Sequence, residues 1–346
     1  VLRFVESFSM WNTGVYVLGG GLPEFMAGKW NTGNGGSHLI QSGGGRFGDS
    51  WRFTASGTQY LVKILDQQAT WTAGFAIKNN SWTTGMRFFG FADNNPTFQM
   101  EIGCDSAGHL RLTRNNTVLA TGTTVLSNGV FYYIEFKVTI NSSTGAYELR
   151  INGNTELSAS GTNTQATGNA WADRFYLGDF SVGGGETCDV CDLYVLDGTG
   201  SVNNTFLGDC RVDALFPSGA GNYTQLTPSA GSNYAAVDEK AQNGDTDYVE
   251  SGTVSQKDSY AYGDLATSTG SVFGVQLVPF ARKTDAGTRS IKGLARLSST
   301  DVLDSTDKTL SSSYAYYPDV RETKPGGGSW AISDVNSAEF GVQVTA

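Results

Sequence analysis

The chain has 346 residues, 45 of them glycine and only 7 proline, with 23 basic against 33 acidic side chains and a net charge of −10. That length suits two domains, each large enough to bury its own core. The acidic balance argues against a nucleic-acid partner, because phosphate binding needs clustered lysine and arginine. No run reaches the ~18 apolar residues of a membrane helix, so no membrane insertion is expected.

The glycines are scattered among Trp, Phe and Val runs, and long Ala/Leu/Glu/Lys windows are missing. Many short strands joined by tight turns follow from this, and the expected fold class is all-β. The expectation is two antiparallel β-sandwich (jelly-roll-like) domains in tandem, 1–198 and 199–346. The amino end, VLRFVE, lacks the basic-then-apolar order of a signal peptide, an order that processing would also remove.

In chain order, the first ~50 residues read as loop-rich, with Gly19-Gly20-Gly21 and Gly43-Gly44-Gly45 as punctuation. Strands follow at 51–55 and 60–65. Residues 69–77 put Ala69, Trp71, Ala73, Phe75 and Ile77 on one face by strict period-2 alternation. Segments 86–92, 97–104 and 109–113 continue the set, the last two around the turn Asp105-Ser106-Ala107-Gly108. The clearest strand is 131–140. Tyr132, Ile134, Phe136, Val138 and Ile140 face one way, and Tyr133, Glu135, Lys137 and Thr139 the other. Tyr147, Leu149 and Ile151 line its partner, which Asn152-Gly153 closes as a two-residue hairpin signal. Strands at 175–177 and 193–196 complete the first domain.

Asp197-Gly198-Thr199-Gly200 breaks the chain with turn residues. Residues 206–215 are read as opening a second run of short strands. Further strands are expected at 258–265, 273–281, 287–297, 311–317 and 339–344, with Pro325-Gly326-Gly327-Gly328 as a turn before Trp330.

Two resemblances rest on this wording. FYYIEFKVTI, NSSTGAYELRINGN and RFYLGDF…CDLYVLDG resemble the concanavalin A-like, laminin G-like sandwich family over most of 1–198. Within 190–346, FLGDCRVDALFPSGAGNYTQLTPSAGSNYAAVDE, GDTDYVESGTVSQKDSYAYGDL, VPFARKTDAGTRSIKGLARL, LSSSYAYYPDV and WAISDVNSAEFGVQV resemble a module of tailed-phage virion proteins. That second resemblance implies a non-enzymatic particle component on a tail or capsid surface. Its implied partners are other virion proteins and further copies of itself, a trimer being the natural guess. Cys191 departs from the pattern, standing where an acidic residue is expected ahead of Asp192, which weakens a cation site there.

Chemistry-bearing groupings are sparse. Glu186 and Asp192 share a face of a regular strand but lie roughly 20 Å apart at ~3.3 Å per residue, too far to flank one glycosidic bond. Asp189 points the other way. His38 and His109 read as surface turn residues. Cys188 and Cys191, three apart on a strand, face opposite sides and read as packing residues, not a metal or redox pair. Ca²⁺ is the one conceivable cofactor, on Asp245 and Asp247 with Glu250 or on Asp93 with Asn94 and Asn95, although turn-forming side chains account for both groups. Trp82 and Trp171 sit in turn-like contexts and are the candidates for contact with a host-surface glycan, whereas Trp71 is structural. Tyr314, Tyr316 and Tyr317 read as interface or sheet-face residues. The leading expectation is thus a virion structural protein with a lectin-like exposed domain. A carbohydrate-binding lectin is the alternative, with a glycoside hydrolase behind it.

Overall fold

A computed structural model describes residues 1–17, 26–35, 37–54, 58–82, 86–94, 97–180, 187–240 and 242–346. The chain divides into two compact units. The first comprises Val1–Ser9, Thr13–Pro23 and Trp30–Val212, and the second Met10–Asn12, Glu24–Lys29 and Asp213–Ala346. Residues 199–212, assigned to the second domain from sequence, therefore cluster with the first.

The first unit is two antiparallel sheets face to face. A nine-stranded sheet runs Asn154–Thr162, Gly145–Ile151, Phe131–Thr139, Thr70–Asn79, Thr187–Asp197, Ser50–Thr54, Ser37–Gln41 and Gly14–Val17, with Leu2–Glu6 added on Thr187–Asp197. A seven-stranded sheet runs Thr117–Val125, His109–Arg114, Phe98–Cys104, Arg87–Ala92, Ala172–Asp179, Gln59–Gln68 and Thr32–Asn34. Period-2 alternation aims one side of each sheet inward. Rings from the two inner faces interlock there. Trp71 stacks on Phe91 at 5.7 Å and Phe75 on Phe89 at 5.2 Å, while Phe136 meets Phe91 at 6.1 Å. All five side chains are at most 1% exposed. Phe131–Thr139 pairs with Thr70–Asn79 without a register break, from Phe131 against Lys78 to Thr139 against Thr70.

The second unit is built on a six-stranded antiparallel sheet. Pro217–Thr224, Lys257–Tyr262, Glu339–Val344, Ser290–Leu297 and Thr300–Leu303 follow in spatial order, and Lys308–Thr309 also pairs with Ser290–Leu297. Leu277, Ala295, Trp330, Val335, Ala338 and Phe340 form its core. Val335 comes from a short helix, Ile332–Ser337, whose first turn is closed by the Ala331 amide donating to Asp334 at 2.8 Å. The strand expected at 273–281 is split into Val275–Leu277 and Phe280–Ala281. Pro279, which falls in the break, has no N–H for a ladder, and its carbonyl accepts the Tyr317 amide.

Segment 206–215 is not the run of strands read from sequence. The amides of Leu207, Gly208 and Val212 are taken by side chains of the nine-stranded sheet, in place of a ladder.

Candidate functional site

Strand pairing arranges the outer face of the nine-stranded sheet in cross-strand rows. The first row is Arg52, Asp189, Lys78 and Phe131, and the next is Cys191, Ala76 and Tyr133. A third row holds Tyr194, Gly74, Glu135 and Arg150, and a fourth Leu196, Thr72, Lys137 and Glu148. Gly74 is what makes the third row work. A Cβ there would lie 2.6 Å from Tyr194 Cζ. Without one, the Tyr194 ring crosses the strand and donates to Glu135 Oε1 at 2.6 Å. Burial and the neighbouring Glu135 carboxylate push the Tyr194 phenol far up.

Residues 205–212 lie over the last three rows. Thr205 accepts from Lys137 at 3.2 Å, the Arg150 guanidinium sits 3.9 Å from the Phe206 ring centre, and the Leu207 amide donates to Tyr194. The Gly208 amide donates to Glu135 at 2.8 Å. Arg46 binds Asp192 at 3.0 Å, Asp209 at 2.5 Å and the Cys210 carbonyl at 2.6 Å. This part of the face is a closed polar lock. The first row instead reaches solvent, with the side chains of Arg52 28% and Lys78 22% exposed above a buried Asp189.

The outer face of the seven-stranded sheet is aromatic. Phe98 stacks on Phe180 at 4.5 Å, and Tyr176 meets Phe98 at 4.8 Å and Tyr60 at 5.2 Å. Gly90 leaves the room, since a Cβ there would lie 2.8 Å from Phe98 Cδ1. These rings rest on Val62 and Ala92, apart from the core between the sheets, and Tyr60 and Phe98 are half-buried. Polar groups border them. Arg87 donates to both Glu101 oxygens, at 3.2 and 3.1 Å, and to Asn116 at 2.7 Å. Arg174 binds Asp173 at 2.8 Å. Burial raises the Glu101 carboxyl above its ordinary range, with Arg87 pulling the other way.

The residues singled out from sequence are placed differently from expectation in several cases. Trp82 is 7% exposed and meets Phe88 edge-on at 6.1 Å, so it is a packed residue and not an exposed turn platform. Trp171 is half-buried, and its carbonyl accepts from Gln99 at 3.2 Å. Asp245 is exposed but held by Arg282, at 2.9 Å to each oxygen, and by the Tyr314 hydroxyl at 2.8 Å. Asp247 accepts from Asn243, and Glu250 lies exposed on its own two-residue strand. Asp93 is fully buried and ties down Thr167 at 2.6 Å and Asn169 at 3.0 Å. Asn94 is exposed, and Asn95 lies outside the described residues. Among the described residues, no group of three or more His, Cys, Asp or Glu side chains is arranged to hold a metal ion.

His38 is not a surface turn residue. It is fully buried, stacks on Trp51 at 5.4 Å, accepts from the Trp51 indole at Nδ1 and donates from Nε2 to the Asn34 carbonyl. Burial lowers it to about 4, the Asn34 bond opposing. His109 is half-buried and pairs with Asp105 at 3.1 Å within its turn. Glu186 lies outside the described residues. Asp192 does not sit on a regular strand as assumed: it has φ 53°, and the register slips between Cys191 and Tyr194. A non-glycine residue at positive φ marks such a bulge, and here it turns the carboxylate onto Arg46 and the Val212 amide. The four cysteines form no disulfide.

Missed by the sequence reading were the Tyr60, Phe98, Tyr176 and Phe180 cluster and the Arg87–Glu101 pair. Alternation could have set Tyr60 and Tyr176 opposite the core, but Arg87 and Phe98 reach the outer face only through register slips in the pairing of 87–92 with 98–104, which no local pattern shows.

These observations define an all-β protein whose first unit is an antiparallel sandwich with one aromatic and one charged outer face. No family profile matches the chain, and no curated protein matches it. Solved structures do. Alginate lyase Aly36B, a double mutant in complex with an alginate trisaccharide, is 13% identical over 56% of this chain and 96% of that one, at a TM-score of 0.40. Domain 4 of an extracellular arabinanase from Geobacillus stearothermophilus, with arabinotriose, is 17% identical over 56% of this chain and 91% of that one, at 0.39. A Trypanosoma rangeli sialidase is 13% identical over 47% of this chain and 27% of that one, at 0.35. The expectation of a non-enzymatic chain is corrected here. It rested on the resemblance of residues 190–346 and on carboxylate spacing, whereas the solved structures that match include an alginate lyase and a sialidase. A likeness of this size assigns neither substrate nor activity to this chain.

Proposed function

We propose that the first unit is a carbohydrate-binding sandwich, with a saccharide lying across the outer face of its seven-stranded sheet. The observation that carries this reading is the pair of half-buried rings Tyr60 and Phe98, resting on buried Tyr176 and Phe180 in a cluster apart from the core between the sheets and bordered by Arg87–Glu101 and Arg174–Asp173. Sugars offer an apolar C–H face and a rim of hydroxyls, and aromatic rings beside fixed polar groups match both. Tyr60 and Phe98 are the contact residues in this reading, Arg87 and Arg174 the donors.

A panel of neutral glycans, titrated against the wild-type chain, Tyr60→Ala and Phe98→Ala, tests it. The expected result is binding that falls about tenfold or more in each variant while the chain stays folded. Binding that ignores both substitutions, or no binding at all, sinks the reading. Assaying the same mixtures for released reducing ends registers cleavage. The wording of residues 190–346 supports a second reading, in which this sandwich is carried on a phage particle by an oligomeric subunit. Locating and counting copies in cryo-EM maps of purified particles tests that one.

A further inference from the structure

The first row of the nine-stranded face carries two cations on one carboxylate. Asp189 is 1% exposed and is shared by Arg52, through Nε and Nη2 at 2.8 Å each, by Lys78 Nζ at 3.1 Å and by the Ser50 hydroxyl at 3.0 Å. The row is therefore one charge positive (two cations less one carboxylate) in a chain of net charge −10. Phe131 ends it, with Lys78 Nζ 4.7 Å from the ring centre. Residues 205–212 cover the neighbouring rows, and the first is the row left partly open to solvent.

We propose that this open end is a second saccharide site, selective for a sugar bearing a carboxylate. The carboxylate would sit against Arg52 and Lys78, whose joint charge Asp189 only half neutralises, and the apolar face of the sugar ring against Phe131. Charge and ring together select a uronate. A neutral sugar leaves the cation excess unanswered, and an acidic peptide has no flat C–H face for Phe131. The site is separate from the aromatic face but rests on the same carbohydrate-binding reading.

The test is calorimetric titration of the full chain with a uronate oligosaccharide, its carboxyl-reduced neutral counterpart and polyglutamate of similar length. The uronate is expected to bind about tenfold or more tightly than the other two, and to weaken by a similar factor on going from low to high salt. Lys78→Gln, which leaves Arg52 on Asp189, should show a comparable loss. Should that variant fail to fold, the salt series on the wild-type chain tests the same charge dependence. Equal binding of the neutral sugar or of polyglutamate in the Tyr60→Ala chain, or indifference to salt, overturns the proposal. Tyr60→Ala separates the two sites, because it should spare uronate binding while weakening neutral-glycan binding about tenfold or more. Neutral-glycan binding without uronate preference overturns this proposal alone, and no saccharide binding of any kind overturns both.

Discussion

Gly74 shows how one missing side chain organises a face. The Tyr194 ring passes over it to reach Glu135, and the same two residues then receive the Leu207 and Gly208 amides. Gly74→Ala should therefore cost about 1–3 kcal/mol through overpacking and the lost bond. It should also open residues 205–212 to proteolysis. Gly219→Ala, whose Cβ would meet nothing closer than Ala261 at 3.8 Å, is the matched control. Equal urea midpoints for the two variants would remove the role given to Gly74. Alternation along 131–140 already separated Tyr133, Glu135 and Lys137 from the core residues, so the polar face was legible. Its cover was not, because Gly208 lies 73 residues from Glu135 and nothing local ties them. His38 misled for a related reason: a Gly-rich neighbourhood suggests a turn, while its real partner, Trp51, is named only by the fold.

At the scale of elements, central strands announced themselves and edge strands did not. Thr117–Val125 and Asn154–Thr162 are largely exposed, rich in Thr and Ser, and lack a buried alternation to detect. They end the seven-stranded and nine-stranded sheets. An exposed edge invites pairing with another chain, and here Glu156 closes one. Its carboxylate accepts the Thr123 amide, the Thr124 amide at 2.8 Å and the Thr124 hydroxyl at 2.6 Å. Burial pushes this carboxyl up, but the Thr124 and Thr123 bonds outweigh it and hold it below its usual range. Glu156→Ala should speed amide exchange at Thr123 and Thr124 and promote aggregation on warming, at a cost of about 1 kcal/mol. Unchanged exchange at both amides would show that Glu156 protects nothing. Helix Ile332–Ser337 escaped the reading because six residues are too few to show a helical period.

At the scale of the whole molecule, acid acts in opposite senses on one buried group in each unit. In the first, His38 is held neutral, its folded value of about 4 lying below the ordinary 6.5. Its contribution is present above 6.5 and is lost as pH falls toward 4, about 3 kcal/mol at most. In the second, Asp304 is buried and bonded to Arg321 at 2.6 Å and to the Gly293 amide at 2.7 Å. Burial and the nearby Asp319 raise it to about 6. That contribution runs the other way: it is complete below 3.8 and is lost as pH rises through 6. Melting curves between about pH 7 and pH 4.5 should show His38→Asn losing less stability on acidification than the wild type, and Asp304→Asn gaining less. Parallel curves for wild type and both variants would contradict these assignments.

Strand Thr187–Asp197 lies between Thr70–Asn79 and Ser50–Thr54, although it comes far later in the chain. During synthesis the earlier two strands emerge long before the one that joins them. Until it does, Trp71 and Phe75 belong to an unfinished surface that must be kept from other chains. Closure over such a separation is slow, and the waiting state is prone to aggregation. The middle of this sheet is the last part of the first unit that can be completed, and residues 205–212 can settle only after it.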